Sequence, residues 1–240
     1  MYSCNYFFYE LGYRLGTQTT TVLSDSKGLA VLSKYASMFG LNSVTGIELP
    51  ETEPTISTES VVRSAIGQGT NNYTPAQLVR YIAAVANSGS LYELTLLDKI
   101  TDSQGNIVEE NEPVLTNTID LDQETWDIVH KGMYLVCNKS SYRTKMGNLG
   151  VTLAGKSGTA QESEKLPNHG LFVGYAPYEN PEVAAVVTIP NGHGSSNVLD
   201  LYAELMCYYF NVPYDKDDDT TETTSSVRTA NIPERDIEAD

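Results

Sequence analysis

The chain is short of positive charge. Lys and Arg number 15 against 31 Asp and Glu, a formal net charge of -16 over 240 residues. A phosphate backbone or an anionic bilayer surface repels such a chain on average, so nucleic-acid binding is disfavoured. Long apolar runs are missing too. The stretch from Val183 to Ile189 is only seven residues even with Thr188 counted, against the roughly 20 that a membrane helix needs. No membrane-spanning helix is expected. The residues ahead of Arg14 carry no basic side chain and mix polar with aromatic positions, so no secretory signal is read there. Cysteine is scarce: Cys4, Cys137 and Cys207 are odd in number and widely spaced, which fits neither a disulfide framework nor a zinc site. No metal and no other cofactor is expected. Internal repeats are absent.

A length of 240 residues with 40% apolar content allows one sizeable core. Residues 1–214 are read as one domain. Residues 215–240 hold nine acidic and three basic side chains and the Thr/Ser run Thr220 to Ser226, and so read as a disordered acidic tail. Helices are expected at Tyr6 to Leu15, Lys27 to Phe39 and Leu121 to Val136, the last with Trp126, Val129 and Met133 at helical spacing. The clearest helix start is Thr74 as cap, Pro75 at the first position and Gln77 completing a capping box, with Leu78, Ile82 and Val85 on one face and Gly89 as stop.

Leu94 to Thr101 and Ile107 to Glu109 flank the turn-forming Asp102 to Asn106 and predict a small surface hairpin. Val151 to Ala154, Gly170 to Tyr175 and Val183 to Ile189 are short β-prone runs, read most simply as three antiparallel strands. A closing helix from Asn197 to Phe210 sets Val198, Leu201, Leu205 and Tyr208 on one face, suited to packing on that sheet. The architecture is α+β.

Lys156-Ser157-Gly158-Thr159-Ala160 follows a strand-like run and places a cation, two hydroxyls and a position without a side chain side by side on a strand edge. Such an edge can hold a carboxylate, and Gly158 lets an extended peptide approach and add to the sheet. Taken alone, the run is also what an ordinary loop looks like. Ser3-Cys4-Asn5 before an aromatic helix likewise reads first as capping chemistry. Ser-x-x-Lys, Ser-Asp-Asn and Lys-Thr-Gly form a set shared by penicillin-binding proteins and class A β-lactamases, and counterparts of two of the three occur here in order.

Further runs extend the likeness: Phe39-Gly40, Thr45-Gly46-Ile47-Glu48-Leu49-Pro50, Ile66-Gly67-Gln68-Gly69, Thr74-Pro75-Ala76-Gln77-Leu78 and Ala86-Asn87-Ser88-Gly89. His169-Gly170-Leu171-Phe172-Val173-Gly174-Tyr175-Ala176-Pro177 and Asn180-Pro181-Glu182 follow the Lys-Ser-Gly-Thr run. Over residues 3 to 210 the chain resembles the transpeptidase domain of class B penicillin-binding proteins.

The resemblance implies a penicillin-binding and serine β-lactamase-like fold, an antiparallel sheet flanked by helices, with the N-terminal part of the domain missing. It implies D,D-transpeptidation. A serine attacks the penultimate D-Ala carbonyl of a peptidoglycan stem peptide and passes the acyl group to another stem's amine; β-lactams acylate the same serine. Ser3 would relay a proton and Asn5 would hold the substrate amide. Lys156 would supply positive potential, and Ser157 and Thr159 would bind the carboxylate beside the open Gly158. The Thr159 N–H would be one oxyanion donor.

The family's Ser-x-x-Lys lies upstream of Ser-x-Asn, so the nucleophile is expected outside these residues. Ser24-Asp25-Ser26-Lys27 has the spacing but the wrong order, and reads as helix capping. A thiolate dyad of Cys4 with His130, His169 or His193 has no support from spacing. By resemblance the partners are stem peptides, β-lactams and other cell-wall synthesis proteins, and the location is the extracytoplasmic face of a bacterial membrane. The alternatives are a non-catalytic binding or scaffold module of the cell-wall machinery and a β-lactamase or β-lactam sensor. Because the family's sheet takes strands from before the nucleophile, an uncovered sheet edge and apolar surface are expected as well.

Overall fold

The computed structural model describes residues 3–18 and 21–214; the predicted acidic tail lies outside the described residues. Helix α1 (Asn5–Thr17) packs on α2 (Asp25–Met38) and on the short α3 (Val61–Ser64) through glycines. A Cβ on Gly12 would lie 2.9 Å from the Val61 carbonyl oxygen, and one on Gly28 would lie 2.5 Å from the Val61 side chain. Backbones therefore meet along this seam, and the larger side chains of α1 are left on its outer faces. Tyr6 is 77% exposed and Phe7 62%. The expected uncovered apolar surface is present.

Helix α4 (Pro75–Ala86) starts as its sequence predicts. Thr74 Oγ1 accepts from Gln77 N at 3.2 Å, and Gln77 Oε1 accepts from Thr74 N at 2.8 Å. Two of the orphan amides of the first turn are satisfied at once. Gln77 is buried, and its amide nitrogen also donates to Thr52 O. Beyond Gly89 the chain forms β1 (Ser90–Tyr92), then the hairpin β2 (Lys99–Thr101) and β3 (Ile107–Glu110), then β4 (Leu115–Thr118), which pairs back on β1. The hairpin was expected to begin at Leu94. Residues 94–98 instead connect β1 to β2, and the β1–β4 pair carried no pattern of its own.

Helix α5 (Gln123–Lys139) is capped by Asp122, whose side chain accepts from Thr125 N at 2.7 Å. Of its predicted inward residues, Trp126 and Met133 are buried, while Val129 is exposed. After α6 (Arg143–Met146) come β5 (Ala154–Ala160), β6 (His169–Ala176) and β7 (Val183–Ile189), an antiparallel sheet in that order. A 3-10 turn (Ser195–Val198) leads into α7 (Leu199–Tyr209). One face of the sheet, with Phe172 and Val187, packs on Val198, Tyr202, Ala203 and Met206. The other face, with Ala154 and Tyr175, packs on Ile82, Val85 and Ala86 of α4 and Met133 of α5.

Two expectations need correction. Leu201, Leu205 and Tyr208 do not face the sheet: they are exposed, Tyr208 by 85%, while Leu199, Tyr202, Ala203, Met206 and Cys207 are buried. Residues 195–198 turn with three residues per turn rather than 3.6, so the phase of the helix is reset at Leu199. The first strand begins at Ala154, not Val151, and runs on through the Lys-Ser-Gly-Thr motif to Ala160 instead of ending at Ala154.

Polar side chains hold the irregular segment between α2 and α4. The buried Arg80 guanidinium donates to Gly40 O at 2.6 Å, Val44 O at 2.8 Å and Ser43 Oγ at 3.0 Å. It forms one wall of a cavity of about 430 Å³ that shares no residue with the Lys-Ser-Gly-Thr strand. Arg80→Ala strips partners from buried carbonyls and is expected to cost about 2–4 kcal/mol. Arg80→Lys should recover less than half of that, since a point charge cannot reproduce the fork. Denaturant midpoints of the three proteins check this.

The Glu48 carboxylate accepts from the Thr95 hydroxyl and from Leu96 N, which hold its pKa down to about 2 from 4.5. A depressed carboxylate contributes stability above the unfolded value and loses it as pH falls through the folded one. Protection of the Leu96 amide, after correction for intrinsic exchange, is therefore expected to fall as pH drops from about 4.5 toward 2, with Glu48→Gln abolishing that dependence.

Candidate functional site

The residues Ala154–Ala160 are poor strand formers, with two glycines, a lysine and a serine among seven. They are extended because β6 pairs with all of them, from Ala154 opposite Tyr175 to Ala160 opposite His169. Gly155 is required by packing: a Cβ there would meet the Phe172 ring at 2.4 Å. At Gly158 an added Cβ would approach the end of the Leu171 side chain to 3.2 Å, a contact that a small shift of that side chain would relieve. Strand β5 pairs only with β6, and β7 likewise has no second neighbour among the described residues.

The register sorts the motif. Lys156 and Gly158 stand on the face of Val173 and Leu171, toward α4 and α5; Ser157 and Thr159 stand on the face of Phe172 and Gly170, toward the 3-10 turn. Cation and hydroxyls leave the strand on opposite sides, and they converge only on a ligand lying along its edge. The half-buried Lys156 amine donates to Ser157 O. Burial lowers its pKa from the ordinary 10.5, with the nearby Tyr142 oxygen opposing. Thr159 Oγ1 accepts from Ser195 N at 3.2 Å, and the Tyr142 and Ser195 hydroxyls are 3.3 Å apart. Tyr142 and Ser195 carried no sequence signal; Ser195 reaches β5, and Tyr142 reaches Ser195, across long separations in the chain.

Ser3 and Asn5 lie at the start of α1, exposed, with Ser3 in the left-handed region at φ 46°. Helix α1 packs on α2 and α3, and among the described residues no hydrogen bond or ion pair joins Ser3 or Asn5 to Lys156, Ser157, Gly158 or Thr159. Ser24 is the N-cap residue of α2 but makes no capping bond with its side chain. Asp25 Oδ1 instead accepts from Val61 N at 2.7 Å, a link from α2 to α3. The Ser24 to Lys27 string is thus structural, by a bond other than the expected cap. Cys4 is exposed, and none of its candidate bases is bonded to it: His130 Nε2 is bound to Val85 O and His169 to Glu162.

A family model described as the penicillin-binding protein transpeptidase domain matches residues 1–206. The chain belongs to this family. Its class B character follows from its relatives. The chain is 30% identical to the peptidoglycan D,D-transpeptidase MrdA of Haemophilus influenzae over 87% of its own length and 35% of that protein's. It is similar to the solved structure of penicillin-binding protein 2B from Streptococcus pneumoniae at a TM-score of 0.74 and 26% identity, covering 89% of this chain and 39% of that one. The ceftriaxone acyl-enzyme of penicillin-binding protein A from Mycobacterium tuberculosis shares the fold, with a TM-score of 0.71 at 21% identity over 85% of this chain and 46% of that one. The transpeptidase-family chain spans about a third of the length of the curated relatives it matches.

A half-buried lysine with a lowered pKa disfavours folding while protonated, and this penalty fades as pH rises from the folded value toward 10.5. Lys156→Met is therefore expected to raise the denaturation midpoint at neutral pH, with the gain shrinking in alkali. A pH series of denaturant melts checks both the sign and the trend.

Proposed function

We propose that this chain is the part of a class B D,D-transpeptidase domain that receives the substrate, and that it acts in acyl transfer from D-Ala-D-Ala stem peptides during peptidoglycan cross-linking. The observation that carries this reading is β5. It is paired on one side only and presents Lys156 from one face and the Ser157 and Thr159 hydroxyls from the other, at the edge where an extended peptide ending in a carboxylate would lie.

Ser157 and Thr159 bind that carboxylate, Lys156 supplies the positive potential, and Gly158 leaves room for the backbone. The Thr159 N–H is one donor to the developing oxyanion. Ser3 relays a proton toward the leaving amine and Asn5 orients the substrate amide from across the groove. The nucleophile and its lysine base belong to a Ser-x-x-Lys segment outside residues 1–240, and the exposed aromatic face of α1 is where the remainder of the domain packs. β-Lactams bind the same edge. The setting is the outer face of a bacterial membrane beside other cell-wall synthesis proteins. No helix among the described residues is long and apolar enough to cross a membrane.

The test supplies the missing segment. The part of pneumococcal penicillin-binding protein 2B up to and including its Ser-x-x-Lys helix is produced together with this chain and treated with a fluorescent penicillin. Labelling of that segment is expected only when the chain is present, and Lys156→Ala or Thr159→Val should slow it by roughly 10- to 10²-fold, since each removes a charge-assisted contact to the carboxylate. Absence of labelling, while intact 2B labels normally, favours the binding-module reading. Rapid turnover of the label points to a β-lactamase.

A further inference from the structure

The turn 190–195 between β7 and the 3-10 turn is tied at both ends to side chains of the sheet. At one end Asn191 N donates to His169 Nδ1 at 3.0 Å. At the other, Ser195 N donates to Thr159 Oγ1 at 3.2 Å. Between them Asn197 Nδ2 donates to Gly192 O at 2.7 Å. The Gly194 carbonyl passes so near β6 that a Cβ on Gly170 would lie 2.6 Å from its oxygen. Asn191 and His193 hold φ of 54° and 66°, left-handed values that non-glycine residues adopt at a cost and only where neighbours enforce them.

We infer that His169 is a positioning residue for the Thr159 hydroxyl, acting through this turn, and that it makes carboxylate capture by β5 sensitive to the charge of its imidazole. The inference deepens the transpeptidase reading and rests on it for the role of the carboxylate.

Accepting from Asn191, Nδ1 carries no proton. The ring proton is on Nε2, which donates to Glu162 Oε2 at 2.8 Å. The turn so held presents the Ser195 N–H to Thr159. With an N–H occupying its oxygen, the Thr159 hydroxyl keeps its own proton free to donate outward, which is the polarity a carboxylate needs. Protonation of His169 turns Nδ1 into a donor facing the Asn191 donor. That tie is lost, the left-handed residues lose their support, and Ser195 withdraws from Thr159.

Glu162, from the connection between β5 and β6, accepts from Nε2 in either charge state and so keeps the ring in place. The other titratable groups on the packed elements are Glu164 and Lys165 in that same connection, Tyr175 further along β6, His193 in the turn itself and Lys156 further along β5; the 3-10 turn Ser195–Val198 contributes none.

The test needs no ligand. In the full chain, backbone amide exchange at Asn191 and Ser195 and the ring nitrogens of His169 are followed by NMR as the pH is lowered from about 8 until the ring signals report protonation. Protection at both amides is expected to fall about tenfold or more over the same protonation step, after correction for intrinsic exchange. In His169→Gln it should be independent of pH. If Ser195 stays protected while Asn191 opens, or if neither responds as the ring titrates, the inference is overturned. The wild-type titration decides this even if the variant does not fold. Failure of the chain to bind carboxylates would count against the transpeptidase reading and leave this coupling measurable.

Discussion

A strand with one neighbour has half the main-chain hydrogen bonds of a central strand, so β5 must be fixed by what lies on its two faces. On one, Gly155 admits the Phe172 ring, which is fully buried and lies 4.5 Å from the Tyr202 ring centre. On the other, Ala154 and Tyr175 are buried against α4 and α5. Asn138 of α5 donates to Leu153 O at 2.9 Å and ties the residue just before the strand. The small residues of Ala-Gly-Lys-Ser-Gly-Thr-Ala thus serve two demands: close packing behind the edge and free approach in front of it. An element so supported holds its geometry without a second neighbouring strand.

The middle of the chain is held by different means. Between α2 and α4 there is little regular structure, and the backbone groups there are satisfied by side chains. Glu51 accepts from Thr45 N, Thr45 Oγ1 and Gly46 N, Arg80 takes the carbonyls of Gly40 and Val44, and Gln77 takes that of Thr52. A charged group buried in this way is stable only while its partners stay in place. Glu51 and Glu93 lie near enough to Arg80 to offset its charge. The motif-like runs around Thr45 and Thr74 therefore have a structural meaning apart from chemistry: they are the two sides of one polar clamp.

Much of this was legible in the sequence, for local reasons. The Thr74 and Gln77 capping box, the three strands and the helices flanking them follow from signals within a few residues of each other. The phase of α7 was not legible, because two sets of residues at helical spacing competed and the preceding 3-10 turn chose between them. Nor was the full extent of β5, since its residues are extended by pairing with β6 against their own preference. In the site, Lys156 to Thr159 stood out by composition. Tyr142, Ser195 and Asn191 did not, because each matters through one contact with a residue distant in the chain, and no periodicity encodes that.

The two motif clusters are carried by different parts of the molecule. Ser3 and Asn5 ride on α1, which is joined by glycine contacts to α2 and α3. Lys156 to Thr159 ride on β5. Just beyond the end of α2, the Phe39 ring meets Tyr81 of α4 at 5.3 Å and Trp126 of α5 at 6.2 Å, both edge-on. Those two helices pack on the sheet. The path from one cluster to the other thus runs through this aromatic joint and through the Arg80 bonds to Gly40 and Val44, not through bonds between the clusters themselves. Edge-on rings fix an angle well but contribute only about 0.5–1.5 kcal/mol beyond their buried area. How the end of α2 sits on α4 and α5 is therefore set by the Phe39, Tyr81 and Trp126 rings together with the Arg80 fork.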